Sequence, residues 1–143
     1  MRVLTLTAAL LITAIITVTA FAESEIPDLK GEWVMTHEAV IQSNHAEMPP
    51  ERHVDENEGF ISVDFVITID KQEGIKFSGI KSSKQREETI SGIIGFDNRS
   101  VYMVDDDGIM HCRIVGPDKM EQIYLHVAEH RSVVGRGIMT RKR

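Results

Sequence analysis

Three histidines, His37, His45 and His53, recur at eight-residue intervals, with Glu38, Glu47, Glu51 and Asp55 among them. Imidazole nitrogens and carboxylate oxygens are what Zn and other divalent ions take as ligands. The spacing matches no ligand template, since such templates place at least two ligands close together or on a rigid element. A solvated acidic segment accounts for the pattern more economically, and no metal is assigned. Asp105, Asp106, Asp107 and Gly108 resemble a calcium loop, but an EF-hand needs ligands at alternate positions and a distant Glu; a plain turn fits better. Cys112 is the single cysteine, which rules out an intramolecular disulfide; free cysteines are among the most buried residues, so a core position is expected. The sequence has no Ser-His-Asp order, nucleophile elbow or phosphate-binding glycine loop. It therefore carries no enzyme signature, no catalytic residue and no cofactor motif.

His37 is a separate case. Counting in twos from Trp33 sends Met35, His37, Ala39 and Ile41 to one face, and if that face is inward the imidazole needs a hydrogen-bond partner. Either a neighbouring strand supplies it, through a residue such as Gln122 or Tyr124, or the polar end of a ligand does. Tyr102 and Tyr124 would line the same space or simply pack.

These residues must be positioned by strands. From Gly31 onward apolar and polar residues alternate with period two in short runs broken by turn chemistry. The clearest run is Ile61, Val63, Phe65, Ile67 and Ile69, ending at Lys71-Gln72-Glu73-Gly74, read as a hairpin turn. Ile75 and Phe77 continue inward; Ile90, Gly92, Ile94 and Phe96 share one face, closed by Asp97-Asn98. Val101 to Val104, Ile109 to Val115, Met120 to Val127 and Ser132 to Thr140 follow, so with the strand at Trp33 there are eight. A hairpin meander this long leaves two open edges unless it closes. The expectation is an all-β, eight-stranded antiparallel up-and-down barrel, with Gly79, Gly92, Gly95, Gly135 and Gly137 suited to its tight bends. Residues 42–59 are polar, contain Pro49 and Pro50, and lack alternation. A loop of that length is more often functional than incidental and would overhang one mouth.

Residues 1–22 read as an export signal. Arg2 precedes a long uncharged apolar run, and Ala20-Phe21-Ala22 stands before Glu23, the small-residue pattern at which signal peptides are cut. No cysteine follows the cut to take a lipid, so the cleaved chain would have no stable membrane anchor, and a periplasmic or secreted location is expected. Removing those 22 residues leaves 121, with 15 basic and 22 acidic side chains and a net charge of −7. That length suits one domain. An acidic balance disfavours nucleic acid, which requires counterion exchange with Lys and Arg.

Leu29-Lys30-Gly31-Glu32-Trp33, at the head of the eight-strand pattern, resembles the opening of the calycin barrels, the avidin-like and lipocalin-like proteins, in which a Gly-x-Trp starts the first strand and the Trp plugs one barrel end. The segments from Ser91 to Gly95 and Val101 to Gly108 are similar to uncharacterised exported bacterial proteins, a likeness that implies no activity. Biotin binding is not implied: avidins bear Asn and Ser where Met35 and Ala39 stand, and Trp33 is the single tryptophan. The helix that closes most lipocalins has no counterpart in the pattern. What the calycin resemblance does imply is a barrel cavity that takes a small, mainly apolar molecule or lipid. Trp33, Met35, His37, Phe65, Phe77 and Tyr124 are the candidate lining residues, with residues 42–59 as a lid. The alternative is a protein-binding module, such as a periplasmic hydrolase inhibitor, with the barrel as scaffold.

Overall fold

The computed structural model describes residues 25–43, 59–129 and 131–143. They form eight strands: β1 (Gly31–Ser43), β2 (Gly59–Glu73), β3 (Lys76–Ser82), β4 (Glu87–Ile94), β5 (Ser100–Val104), β6 (Ile109–Gly116), β7 (Lys119–Ala128) and β8 (Arg131–Arg141). Each pairs antiparallel with the next, and β8 returns to β1, closing an up-and-down barrel. Closure removes the unpaired edges that an open meander would expose. Residues 1–22, and residues 44–58 of the long connection with His45, Glu47, Glu51, His53 and Asp55, lie outside the described residues.

Period two governs burial. On β1, Trp33, Met35, His37, Ala39 and Ile41 face inward and the residues between them face solvent. Two expectations fail where a turn starts. A register shift between Ile69 and Lys71 inserts a bulge, so β2 runs on to Glu73 and the turn shrinks to Gly74 and Ile75. Gly74 sits at φ 58°, a backbone that glycine adopts without cost, and Ile75 is exposed rather than inward. Phe96 is fully exposed, because β4 ends at Ile94 and Gly95 already belongs to the turn, donating to the Ser100 carbonyl at 2.7 Å. In that turn Asp97 accepts from the backbone of Ser100 and Arg99 and from the Ser100 hydroxyl, which holds its carboxyl down at about 2.

One half of the barrel is packed solid. Leu29, Trp33, Ile67, Ile69, Phe77, Ile90, Ile94, Val101, Met103, Met110, Cys112, Met120 and Met139 form a continuous apolar cluster. Burial pushes the Cys112 thiol up to about 12, so it acts as a small hydrophobe. Residues 27–30 cross this end as a strap. Trp33 Nε1 donates to the Leu29 carbonyl at 2.9 Å. Gln72, turned inward beyond the bulge, accepts from Leu29 N and donates to the Pro27 carbonyl, both at 2.8 Å. Arg141 lies 4.5 Å above the Trp33 ring and donates to the carbonyls of Lys30 (2.7 Å) and Asp28 (2.6 Å).

Outside, one ladder row is apolar across six strands. Phe60 pairs with Val40, Val40 with Val134, Val134 with Leu125, Leu125 with Ile109 and Ile109 with Val104. All six are exposed, Phe60 by 88%.

Trp33→Phe keeps an aromatic ring but deletes the donor and part of the indole volume, leaving the Leu29 carbonyl unpaired in a buried site. We expect a loss of about 1–3 kcal/mol, read as a lower urea midpoint at unchanged slope with the β-sheet circular dichroism intact. An unchanged midpoint would mean that the strap does not seat as described.

Candidate functional site

The other half of the barrel interior is polar. Lys81, Glu88, Gln122, His126, Arg131 and His37 are all at most 5% exposed. Alternation puts them there, as the inward phases of Phe77, Ile90, Met120, Met139 and Trp33 carried toward the mouth. At the centre, Lys81 Nζ lies 2.9 Å from Glu88 Oε2 and in close contact with Asp105 Oδ2, over the rings of Phe65 (5.3 Å) and Tyr124 (5.0 Å). Arg86 reaches the second Glu88 oxygen at 3.0 Å and Asp106 at 3.2 Å. Asp105 also caps its own turn, accepting from Gly108 N (2.6 Å) and Asp107 N (3.2 Å). The Asp105–Gly108 segment thus forms the turn between β5 and β6, closed by Asp105 N donating to the Gly108 carbonyl at 3.2 Å.

Two more inward groups are fixed by that turn. The Tyr124 hydroxyl donates to Asp107 Oδ1 at 2.9 Å, and burial followed by the Asp105 and Asp107 charges raises its pKa, so it stays a donor. His126 Nδ1 contacts the Asp107 carbonyl and lies 3.6 Å from its carboxylate. His37 is different. Its ring packs edge-on against Tyr124 at 5.8 Å and tilted against Phe65 at 5.9 Å, and its Nε2 has no hydrogen-bond partner; neither has Gln122 Oε1. Burial lowers the His37 pKa, a hydrogen-bonding interaction of the ring with the Gly135 backbone opposes this and Lys81 reinforces it, so the imidazole is neutral near pH 7. Gly135 makes its place: a Cβ there would lie 2.4 Å from His37 Nε2.

These groups surround a cavity of about 60 Å³, room for a few water molecules. Met35, His37, Phe65 and Tyr124 line it, together with the apolar Ala39, Ile41, Ile61, Val63 and Val133 and the polar Lys81, Asp107, Gln122, His126 and Arg131. Trp33 and Phe77 stand apart from it in the packed half. Tyr102 faces outward against His111 at 5.3 Å, because β5 turns its even-numbered residues to solvent. His37 and Glu38, neighbours in the histidine-carboxylate pattern, face opposite sides: Glu38 is 71% exposed and 3.8 Å from Arg136. The carboxylates of Glu88, Asp105 and Asp107 come within 4.8 Å of one another, but the Lys81 ammonium already pairs with Glu88 and Asp105, and a divalent ion would compete with it.

No protein-family model and no curated protein matches the chain. Among solved structures, it is similar to the S-type phycobiliprotein lyase CPES of Guillardia theta, with 13% identity and a TM-score of 0.39 over 80% of this chain and 89% of that one. A superposition of that quality assigns neither ligand nor activity. What the fold and site define by themselves is an eight-stranded barrel, solid at one end and polar-lined at the other.

Lys81→Met should cost about 3–5 kcal/mol, because the buried Asp105 carboxylate would lose its ammonium and Glu88 would keep only Arg86. Combining it with Glu88→Leu and Asp105→Asn should recover much of that in urea unfolding; purely additive losses would show that the three do not act as one unit. A second expectation concerns pH. The folded state disfavours protonated His37, so its contribution to stability is complete above the ordinary value of 6.5 and is lost as the pH falls below that. The melting temperature should fall over that range, and His37→Phe should flatten that part of the profile; an unaltered slope would assign it to other groups.

Proposed function

We propose that this chain is an exported, calycin-like barrel that binds a small amphipathic molecule in the pocket at its open end. The observation that carries the reading is the pair of buried, unpartnered polar atoms, His37 Nε2 and Gln122 Oε1, on two side chains that line one cavity. Each unmade hydrogen bond costs about 1–3 kcal/mol, and buried polar groups are otherwise nearly always satisfied. An arriving ligand would recover that cost. The walls nearer the mouth, Ile41, Ile61, Val63 and Val133, are apolar, which suits a molecule with a polar tip and an apolar body. The packed half bounds its depth. A long acyl chain would have to displace the Trp33 cluster, so the ligand is compact or leaves much of its length outside. Export is supported by the pattern of residues 1–22, and the acidic net charge favours partners other than nucleic acid.

The test is recovery of the protein from the periplasm or medium of its own cells. Intact mass should show a chain beginning at Glu23, and native mass spectrometry an adduct that denaturation releases. Ala39→Leu, which fills the cavity without touching a polar group, should abolish the adduct and leave the fold intact. A wild-type protein that carries no adduct, and that no member of a small-molecule library stabilises against heat, would refute the reading.

One observation favours a second reading, a protein-binding module: the exposed apolar row from Phe60 to Val104, since large contiguous apolar patches commonly mark interaction surfaces. In the same recovery, a co-isolated protein that Val134→Lys releases would support this reading over the first.

A further inference from the structure

The charges around the pocket nearly cancel. Lys81, Arg86 and Arg131 stand against Glu88, Asp105, Asp106 and Asp107, and Lys81 and Arg86 are already engaged by carboxylates from that set. An anion or a cation entering here would lose its hydration without meeting a surplus of the opposite sign. His37 Nε2 and Gln122 Oε1, which lack partners, belong to neutral side chains. His37 and Gln122 are 5% and 2% exposed, and both pair with Gly137, His37 from β1 and Gln122 from β7. Two interstrand spacings of ~4.8 Å separate their backbones, and the glycine between them contributes no side chain. Gln122 Oε1 can only accept, whereas the neutral imidazole nitrogen donates or accepts according to its tautomer. The group that satisfies both must therefore bring an N–H or O–H and, where Nε2 carries the imidazole proton, must itself accept. With about 60 Å³ of room, it is a group of few heavy atoms.

We propose that His37 and Gln122 make the pocket selective for an uncharged donor-acceptor group, a primary amide or a hydroxyl, carried on a short apolar stem. The assignment rests on the small-molecule reading above. Lys81 then serves as a positioning residue: it holds Phe65 and Tyr124 beneath its charge, and these two rings hold the imidazole.

The test is a nuclear magnetic resonance titration of the isotopically labelled protein, observing the Gln122 side-chain amide and the His37 ring. The probes are butyramide, 1-butanol, sodium butyrate, butylammonium chloride and pentane. Butyramide and 1-butanol should shift both sets of signals saturably, and the two ions should bind more weakly by at least about tenfold, a difference of roughly 1.4 kcal/mol. Gln122→Met, nearly the same shape, should reduce butyramide binding to the level of pentane, and His37→Phe should do likewise. Butyrate or butylammonium binding as tightly as butyramide would overturn the selectivity. So would pentane shifting the pocket as strongly as butyramide, although the small-molecule reading would then survive. If no probe shifts either signal and the two side chains prove to hold only water, both readings fall.

Discussion

An eight-stranded ring is so narrow that its interior is filled by the side chains alternation sends there, and every other constraint on this chain follows from that. A residue whose phase is inward has no route back to water. It must be apolar, or be paired, or be left with an unmade bond. The lower half of the barrel takes the first course and the upper half the second, while His37 and Gln122 are left with the third.

The two halves divide stability and specificity between them. Trp33, Ile67, Ile69, Phe77 and the methionines of β5 to β8 bury apolar surface without polar cost, and burial of this kind supplies most of the free energy of folding. The strap of residues 27–30 is held across this end by barrel side chains, Trp33, Gln72 and Arg141, that donate to its carbonyls. The Lys81 network contributes differently. Removing two charges from water is costly, and their mutual attraction only roughly repays it. The arrangement instead fixes positions: with Glu88 and Asp105 holding one ammonium and Arg86 bracing Glu88, the rings of Phe65 and Tyr124 have a single place to sit, and His37 is wedged between them and the bare backbone of Gly135.

Much of this was legible in the alternation. It implied eight strands, closure and one shared face for Trp33, Met35 and His37, because one face of each strand had to reach a common core; the burial of Cys112 follows from its residue type. The misplacements of Ile75 and Phe96 share a cause: turns and bulges shift the phase, and hydropathy alone does not show where a strand stops. The polar half went unread for another reason. Gln122 is legible only as a partner for His37, and Lys81, Glu88, His126 and Arg131 are masked by their charged or polar type, although counting in twos from Phe77, Ile90, Met120 and Met139 places each of them inside. Residue type outweighed position in that reading, and charged inward-phase residues were the signal that could have found the site. Pairing partners remained out of reach, since the Asp105 turn meets Lys81 through the closed barrel, which strand periodicity does not encode.

The strap also determines which end of the molecule is available for handling. Pro27 is tied to Gln72, Arg143 to Asp118 at 2.8 Å, and Lys142 N to the Glu32 carbonyl at 2.8 Å, so both flanks of the barrel sequence emerge at its sealed base. A tether, fluorophore or solid support attached through either flank would point the recess away from the surface and leave its entrance unobstructed.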